Sequence, residues 1–356
     1  MNRHDSDLSQ PPSRAEAEAA LATLARWGAA ASATERLSLG GLPWDGPALS
    51  RTYPAGFAAD AAYRAGLPDV QNGPAADALG ARRPIQHVGI DNFRLPLRHR
   101  TRTGERVLET SVSGTVSLAA GIKGINMSRL MRSFYRHADE RMDWEVLDAA
   151  LDDYGADHGA AEARLALAFR LPLLVPALRS DLSGWQFYDV VQELWQEGGV
   201  RRRVLHLDYV YASTCPCSLE LSEHARAVRG QLATPHSQRS VARLSAVLDP
   251  TAPPPLVEDL VEMCRCQVPT ETQVMVRRED EQAFAELSAA HPVFVEDSAR
   301  LLAEGLMGMP EVGDFRVACS HQESLHSHDA VSVLTEGPTF AGPLDTHLFG
   351  SLVHRR

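Results

Sequence analysis

Cysteine is scarce in this chain. Five among 356 residues is an odd number and a small one for the length, so a disulfide framework is not expected. The reading is of a cytoplasmic protein with reduced thiols. Long apolar runs are missing too. The most apolar stretch, LALAFRLPLLVPAL at 165–178, is broken by Arg170, Pro172 and Pro176 and falls short of the roughly 18 unbroken apolar residues of a membrane span. The first residues carry Asp5 and Asp7 without an apolar core, which does not read as a secretory signal. Positive charge is in deficit: 35 Lys and Arg against 46 Asp and Glu give a net charge of −11. Such a surface argues against broad binding to nucleic acid or anionic membrane, though not against a small basic pocket for one polyanion. What is present, 44% apolar and 23% charged residues, reads as globular, and the length suffices for two ordinary domains or one large one.

The organisation follows from periodicity. Residues 1–64 are rich in Ala, Arg, Ser and Pro and read as an N-terminal extension, with AEAEAALATLARWGAAA (15–31) helix-favouring. From Pro84, PIQHVGIDNFRLPL and LETSVSGTVSLAAG alternate as half-buried antiparallel strands do. NMSRLMRSFYRHADERM (126–142) and WEVLDAALDDYG (144–155) have helical spacing, and ARLALAFRLPLLV returns to strand. The second half repeats this grammar without repeating the sequence. WQFYDVVQELWQ and VRRRVLHLDYVYAST form a hairpin about Glu197-Gly198-Gly199, and SVARLSAVLD follows as a strand. LVEDLVEMC and 292–307, with Pro292 in its first turn, read as helices, and DFRVACSH and HDAVSVLTEG as closing strands. The expected class is α+β, with modules at 65–184 and 185–340 and a tail at 341–356.

Chemistry concentrates in two places. STCPCS (213–218) is followed by PHSQRS (235–240). Two cysteines one residue apart rarely hold one metal, so a single Cys with a His and a carboxylate from distant segments makes better sense, and three protein donors leave a position open for catalysis. The bland alternative is a pair of small residues packed in a strand-end turn. Further on, CSHQESLHSHDA (319–330) gathers His321, His326 and His328 around Glu323. His326 is the candidate proton carrier near neutral pH, against the alternative of a structural histidine. Lys123, Arg129, Arg132 and Arg239 are the cations considered for a polyphosphate, Arg239 foremost because it lies three residues from His236.

Together with PDVQN (68–72), IQHVGIDNFRLPL (85–97), GIKGINMSR (121–129), VRREDE (276–281) and FVED (294–297), these motifs occur in the order found in type IB GTP cyclohydrolases I, which the chain resembles over roughly residues 65–335. The resemblance implies a tunnelling fold (T-fold) of two tandem modules, each an antiparallel sheet with helices on one face. It implies a homotetramer with active sites between subunits, and conversion of GTP to 7,8-dihydroneopterin triphosphate and formate, the entry step to tetrahydrofolate and pterins. It also implies one divalent metal per site held by Cys215, His236 and Glu281, with Glu296 anchoring guanine and His326 catalytic. That mixed donor set does not choose among zinc, manganese and iron(II). Asn126 departs from the histidine frequent in that stretch of the family, the loop between Cys217 and His236 is long, and Cys264 and Cys266 are extra. Alternative readings are an archaeal-type enzyme that stops at a cyclic phosphate, and a non-catalytic purine-binding T-fold protein. A nitrile reductase of the same fold finds no supporting motif.

Overall fold

Strict alternation along the strands produces one broad sheet with a greasy face and a charged face. The computed structural model describes residues 11–32, 35, 52–68, 83–122 and 124–353. They fall into two units, divided between Arg82 and Arg83. In the first, the helix expected at 15–31 is present as α1 (Arg14–Ala30), opened by a capping box between Ser13 and Glu16, and a short α2 (Ala61–Ala65) starts on the Asp60 carboxylate. Neither helix buries a side chain.

The second unit runs β1 (Ile85–Thr101), β2 (Gly104–Leu118), α3 (Met127–Tyr135), β3 (Arg141–Met142), α4 (Trp144–His158), β4 (Ala163–Pro176) and β5 (Ser183–Glu197). It continues with β6 (Val200–Thr214), α5 (Pro216–Arg229), β7 (Ser237–Leu248), α6 (Val257–Gln267), α7 (Arg278–Ala290), α8 (Val295–Met307), β8 (Val312–His321), β9 (Ala330–Glu336) and α9 (His347–Ser351). All the strands join one nine-stranded sheet in the order β3-β1-β2-β4-β5-β6-β7-β8-β9. Every pairing is antiparallel except the two-residue β3 against β1. The chain is thus α+β. The expected Gly198-Gly199 turn joins β5 to β6, both glycines at positive φ (56° and 77°), as the tightest hairpin turn requires.

One face of each strand enters a continuous core. Leu97, Val112, Leu165 and Leu167 meet Leu147, Leu151 and Tyr154 of α4, and Leu205, Leu207, Leu244 and Val317 meet Leu260 and Val261 of α6 and Leu302 and Leu306 of α8. Gly114 lets the Tyr154 ring lie on β2, where an added Cβ would come within 2.5 Å of it. On the other face, Arg170 Nε bonds Asp189 at 2.9 Å and Arg243 grips Asp208 through two bonds of 2.6 and 2.7 Å. Arg164 and His206 share Glu193 there. These charges line an open cavity of about 1170 Å³.

Several sequence expectations shift. The helical reading of 126–142 ends at Tyr135, because Met142 is drawn into the core beside β1 and Asp143 caps α4 through Val146 N–H. Asn126 caps α3, its side chain accepting from Arg129 N–H at 3.2 Å, which gives this departure from the family pattern a local role. The helix expected from Pro292 begins at Val295, because Phe294, its cap, has an extended backbone (φ −77°, ψ 157°); just before it, Val293 N–H bonds Thr214 O at 3.0 Å. Residues 322–329 are a loop, so the strand read from His328 onward begins only at Ala330, and His326 and His328 do not share a strand face. Four described helices were not anticipated: α2 and α9 are short, α5 fills the long stretch between the Cys215 and His236 motifs, and α7 carries VRREDE.

Candidate active site

The site is built where β6 ends and β7 begins. Thr214 closes β6, and Cys215 is the cap of α5, with Pro216 at the first helical position enforcing the turn. Cys215 N–H donates to His236 O at 3.2 Å, which sets the two residues side by side although 21 positions separate them. Cys215 is half-buried and Cys217, the second residue of α5, is exposed. The alternative of two packed cysteines therefore fails for Cys217.

His236 is oriented by its neighbours. Nδ1 lies 3.0 Å from Gln238 Oε1 and 3.4 Å from Glu323 Oε2. Gln238 Nε2 donates to Ser213 Oγ at 2.8 Å, so the amide oxygen is the atom turned to the ring. Facing two acceptors, Nδ1 is the ring nitrogen placed to donate, and Nε2 points away from both. The His236 and Glu323 side chains are 16% and 12% exposed, and Glu323 Oε2 is buried without a hydrogen-bond partner. Cys215 and His236, with its open Nε2, would supply two donors to a divalent metal, and the buried Glu323 oxygen lies on the Nδ1 side of the ring. Among the described residues no ready-made group of three metal-binding side chains is present. Glu281 is exposed in the first turn of α7 and makes no hydrogen bond or ion pair with Cys215 or His236. Its neighbour Asp280 is the buried one. Burial pushes its carboxyl up, but hydrogen bonds from the backbone of Arg277, Ser180 and Arg179 and from the Ser180 hydroxyl prevail and hold it well below the usual range.

Two further motifs converge here. The Thr214 O bond to Val293 N–H brings the start of α8 to the residue before Cys215. Glu296 stands exposed in the first turn of α8, where the helix dipole favours a carboxylate. Arg300 pairs with Asp297 at 2.6 Å and not with Glu296. Ser324 Oγ donates to Ser237 O at 3.4 Å, fastening the loop of His326 beside His236. His326 is exposed and stacks on His328 with centroids 4.8 Å apart. His321 leaves the group: it is buried in the core, its Nε2 accepting from Tyr211 OH at 2.9 Å, and burial drives its pKa down to about 4.

The cations separate. Arg239 is exposed on β7, its carbonyl accepting from Gln322 N–H at 3.3 Å. Arg129 lies on α3 and donates to Asp157 O at 2.9 Å, and Arg132 donates to Ser128 O at 3.3 Å. Neither contacts the Cys215–His236 group. Lys123 lies outside the described residues, as do positions 69–72 of the PDVQN motif. The large cavity on the charged sheet face includes none of Cys215, His236, Glu296 and His326 in its lining and is not where these motifs meet. Gln238 and Glu323 were unassigned in the sequence reading. Both sit inside motifs already noted, but which carboxylate or amide faces the ring is a matter of tertiary contact.

The described residues thus form one mainly antiparallel sheet flanked by helices, with Cys215, His236 and Glu323 brought together at its strand ends. The model of the type I GTP cyclohydrolase folE2 family matches residues 67–332, and the chain belongs to that family. It is 59% identical to the GTP cyclohydrolase FolE2 of Ruegeria pomeroyi, covering 99% of this chain and 100% of that one. It is 61% identical to the GTP cyclohydrolase FolE2 of Cereibacter sphaeroides, over 96% of each. Among solved structures, the uricase of Arthrobacter globiformis matches with a TM-score of 0.44 and 10% identity, over 74% of this chain and 97% of that one.

Proposed function

We propose that this chain is a GTP cyclohydrolase I, hydrolysing GTP to 7,8-dihydroneopterin triphosphate and formate as the first step toward tetrahydrofolate and pterins. The observation that carries the reading, beside family membership, is the convergence of Cys215, an oriented His236, the loop of His326 and the start of α8 with Glu296. C8 of guanine is a poor electrophile and water a poor nucleophile. A divalent metal (zinc, manganese or iron(II)) held by Cys215, His236 and Glu281 would supply Lewis acidity and hydroxide at neutral pH. Glu323 then holds the His236 ring in the ligating tautomer. Glu296 accepts from N1–H and the 2-amino group of guanine and so fixes the base. His326, exposed on its loop, donates a proton to the imidazole nitrogen as the ring opens and takes one as the pterin ring recloses. Arg239, with Lys123 and Arg129 as further candidates, faces the triphosphate.

The order of strands and helices, β1-β2-α3-β3-α4-β4 and then β5-β6-α5-β7-α6-α7-α8-β8-β9, supports two tandem T-fold modules. The division drawn between 184 and 185 falls at the start of β5, which begins at Ser183. An exposed outer edge on β9 supports assembly into a homo-oligomer, a tetramer on this reading, because open edges are ordinarily covered by partners. No described helix is long and apolar enough to cross a membrane. The test is incubation of the purified protein with GTP and each metal, with products identified by mass. Dihydroneopterin triphosphate with formate supports the proposal, and a cyclic phosphate or unchanged GTP contradicts it.

A further inference from the structure

The loop carrying Glu323 and His326 has few anchors. Among the described residues, 322–329 is held by Gln322 N–H to Arg239 O, by Glu323 against His236, by Ser324 Oγ to Ser237 O, and by Gln322 Nε2 to Leu352 O at 3.2 Å. The first three all lead to the strand-start of β7. The fourth leads to a segment remote in sequence. Strand alternation explains it: His321 turns into the helix-covered core, so Gln322 turns to the opposite, charged face of the sheet.

That face holds residues 347–353. Leu352 is fully buried, and Leu348, Ser351 and Val353 line the cavity there. Arg243, already fixed by its two bonds to Asp208, donates from Nη1 to Ser351 Oγ at 2.7 Å and from Nη2 to Ser351 O at 3.3 Å. A continuous path therefore runs from Asp208 and Arg243 in the sheet, through Ser351 and Leu352, to Gln322 and the loop.

We propose that residues 347–353 brace the catalytic loop and that Gln322 is the positioning residue through which they act, resting on the reading above that Glu323 and His326 serve the reaction. The brace limits how far the loop opens from His236. Without it, His326 samples positions away from the guanine ring, so turnover falls while substrate binding through Glu296 is little changed. One hydrogen bond of this kind contributes about 1 kcal/mol, so loss of it should lower kcat by about 5- to 10-fold.

The experiment compares Gln322→Ala, removal of residues 347–356, and the two together, in the full chain, well below each variant's Tm. Backbone hydrogen exchange of the peptide spanning 322–329 is measured on metal-free protein, and kcat and KM for GTP on metal-loaded protein. The brace predicts faster exchange in every variant, lower kcat with KM within about 2-fold of wild type, and a double variant no worse than the truncation, since both changes break one path. Losses that multiply, or unchanged exchange in Gln322→Ala, overturn the proposal. Should the truncated chain fail to fold, Gln322→Ala decides alone by the same two readouts. A wild type without activity on GTP defeats the functional reading, while the exchange data still judge the brace.

Discussion

Gln238 Oε1 stands 3.0 Å from His236 Nδ1, and the far side of the same amide is pinned by Ser213. With Glu323 facing the same nitrogen, Nε2 is the ring nitrogen left open. Gln238→Ala and Glu323→Gln should each weaken metal affinity, measured by competition with a chromogenic chelator, by about 10- to 100-fold while the fold persists. Unchanged affinity in both would remove the orienting role.

Cys215→Ala should abolish metal binding and activity together, because the set loses its soft donor. Cys217→Ala should retain most of both, since its side chain is exposed on α5. Metal content by mass spectrometry, read beside turnover, separates the two. Equal losses would contradict the division of roles.

His326→Ala should lower kcat by about 100-fold or more with the metal still bound, as removal of an acid–base group does. A fall in metal content would instead make His326 a ligand.

How much of this was legible beforehand depends on what the residues alternate against. The strands show in the sequence because each has a core face and a charged face. Helices α5 and α7 do not, because they lie on the surface: α5 buries only Ser222, and α7 only Asp280 and Ala283, so neither carries an apolar stripe. The start of α8 moved by three residues because Phe294 is extended where Val293 N–H meets Thr214 O, a contact no local pattern announces. The same limit applies at the site. Motifs named Cys215, His236, Glu296 and His326, but the Glu323–His236 contact joins positions 87 apart and His321 was separated from its neighbours only by folding.

Acid should destabilise the protein through buried histidines. Burial lowers His321 from an ordinary 6.5 to about 4, and His99, bonded to Thr110 at 2.7 Å, likewise. Between these values the unfolded chain binds protons that the folded chain refuses, so stability present above about pH 6.5 is lost as pH falls toward about 4 and levels off below it. Each site contributes on the order of 3 kcal/mol across that window. Denaturant melts at a series of pH values should show this decline, and a flat profile would contradict the buried neutral state.

Glu296 should set base selectivity. Inosine lacks the 2-amino group, leaving one carboxylate oxygen without its donor, which costs about 1–3 kcal/mol or roughly 5- to 150-fold in kcat/KM. Wild type should prefer GTP to ITP, and Glu296→Ala should lose most GTP activity and flatten the preference. A variant as selective as wild type would show that Glu296 does not read the base.

The central claim is that this chain opens the guanine ring by removing C8, and an isotopic label placed at C8 of GTP tests it most directly. With metal-loaded wild type the label should leave as formate, one per GTP consumed, and none should be released by Cys215→Ala. Label retained in the nucleotide product, or released equally by both proteins, would contradict the account.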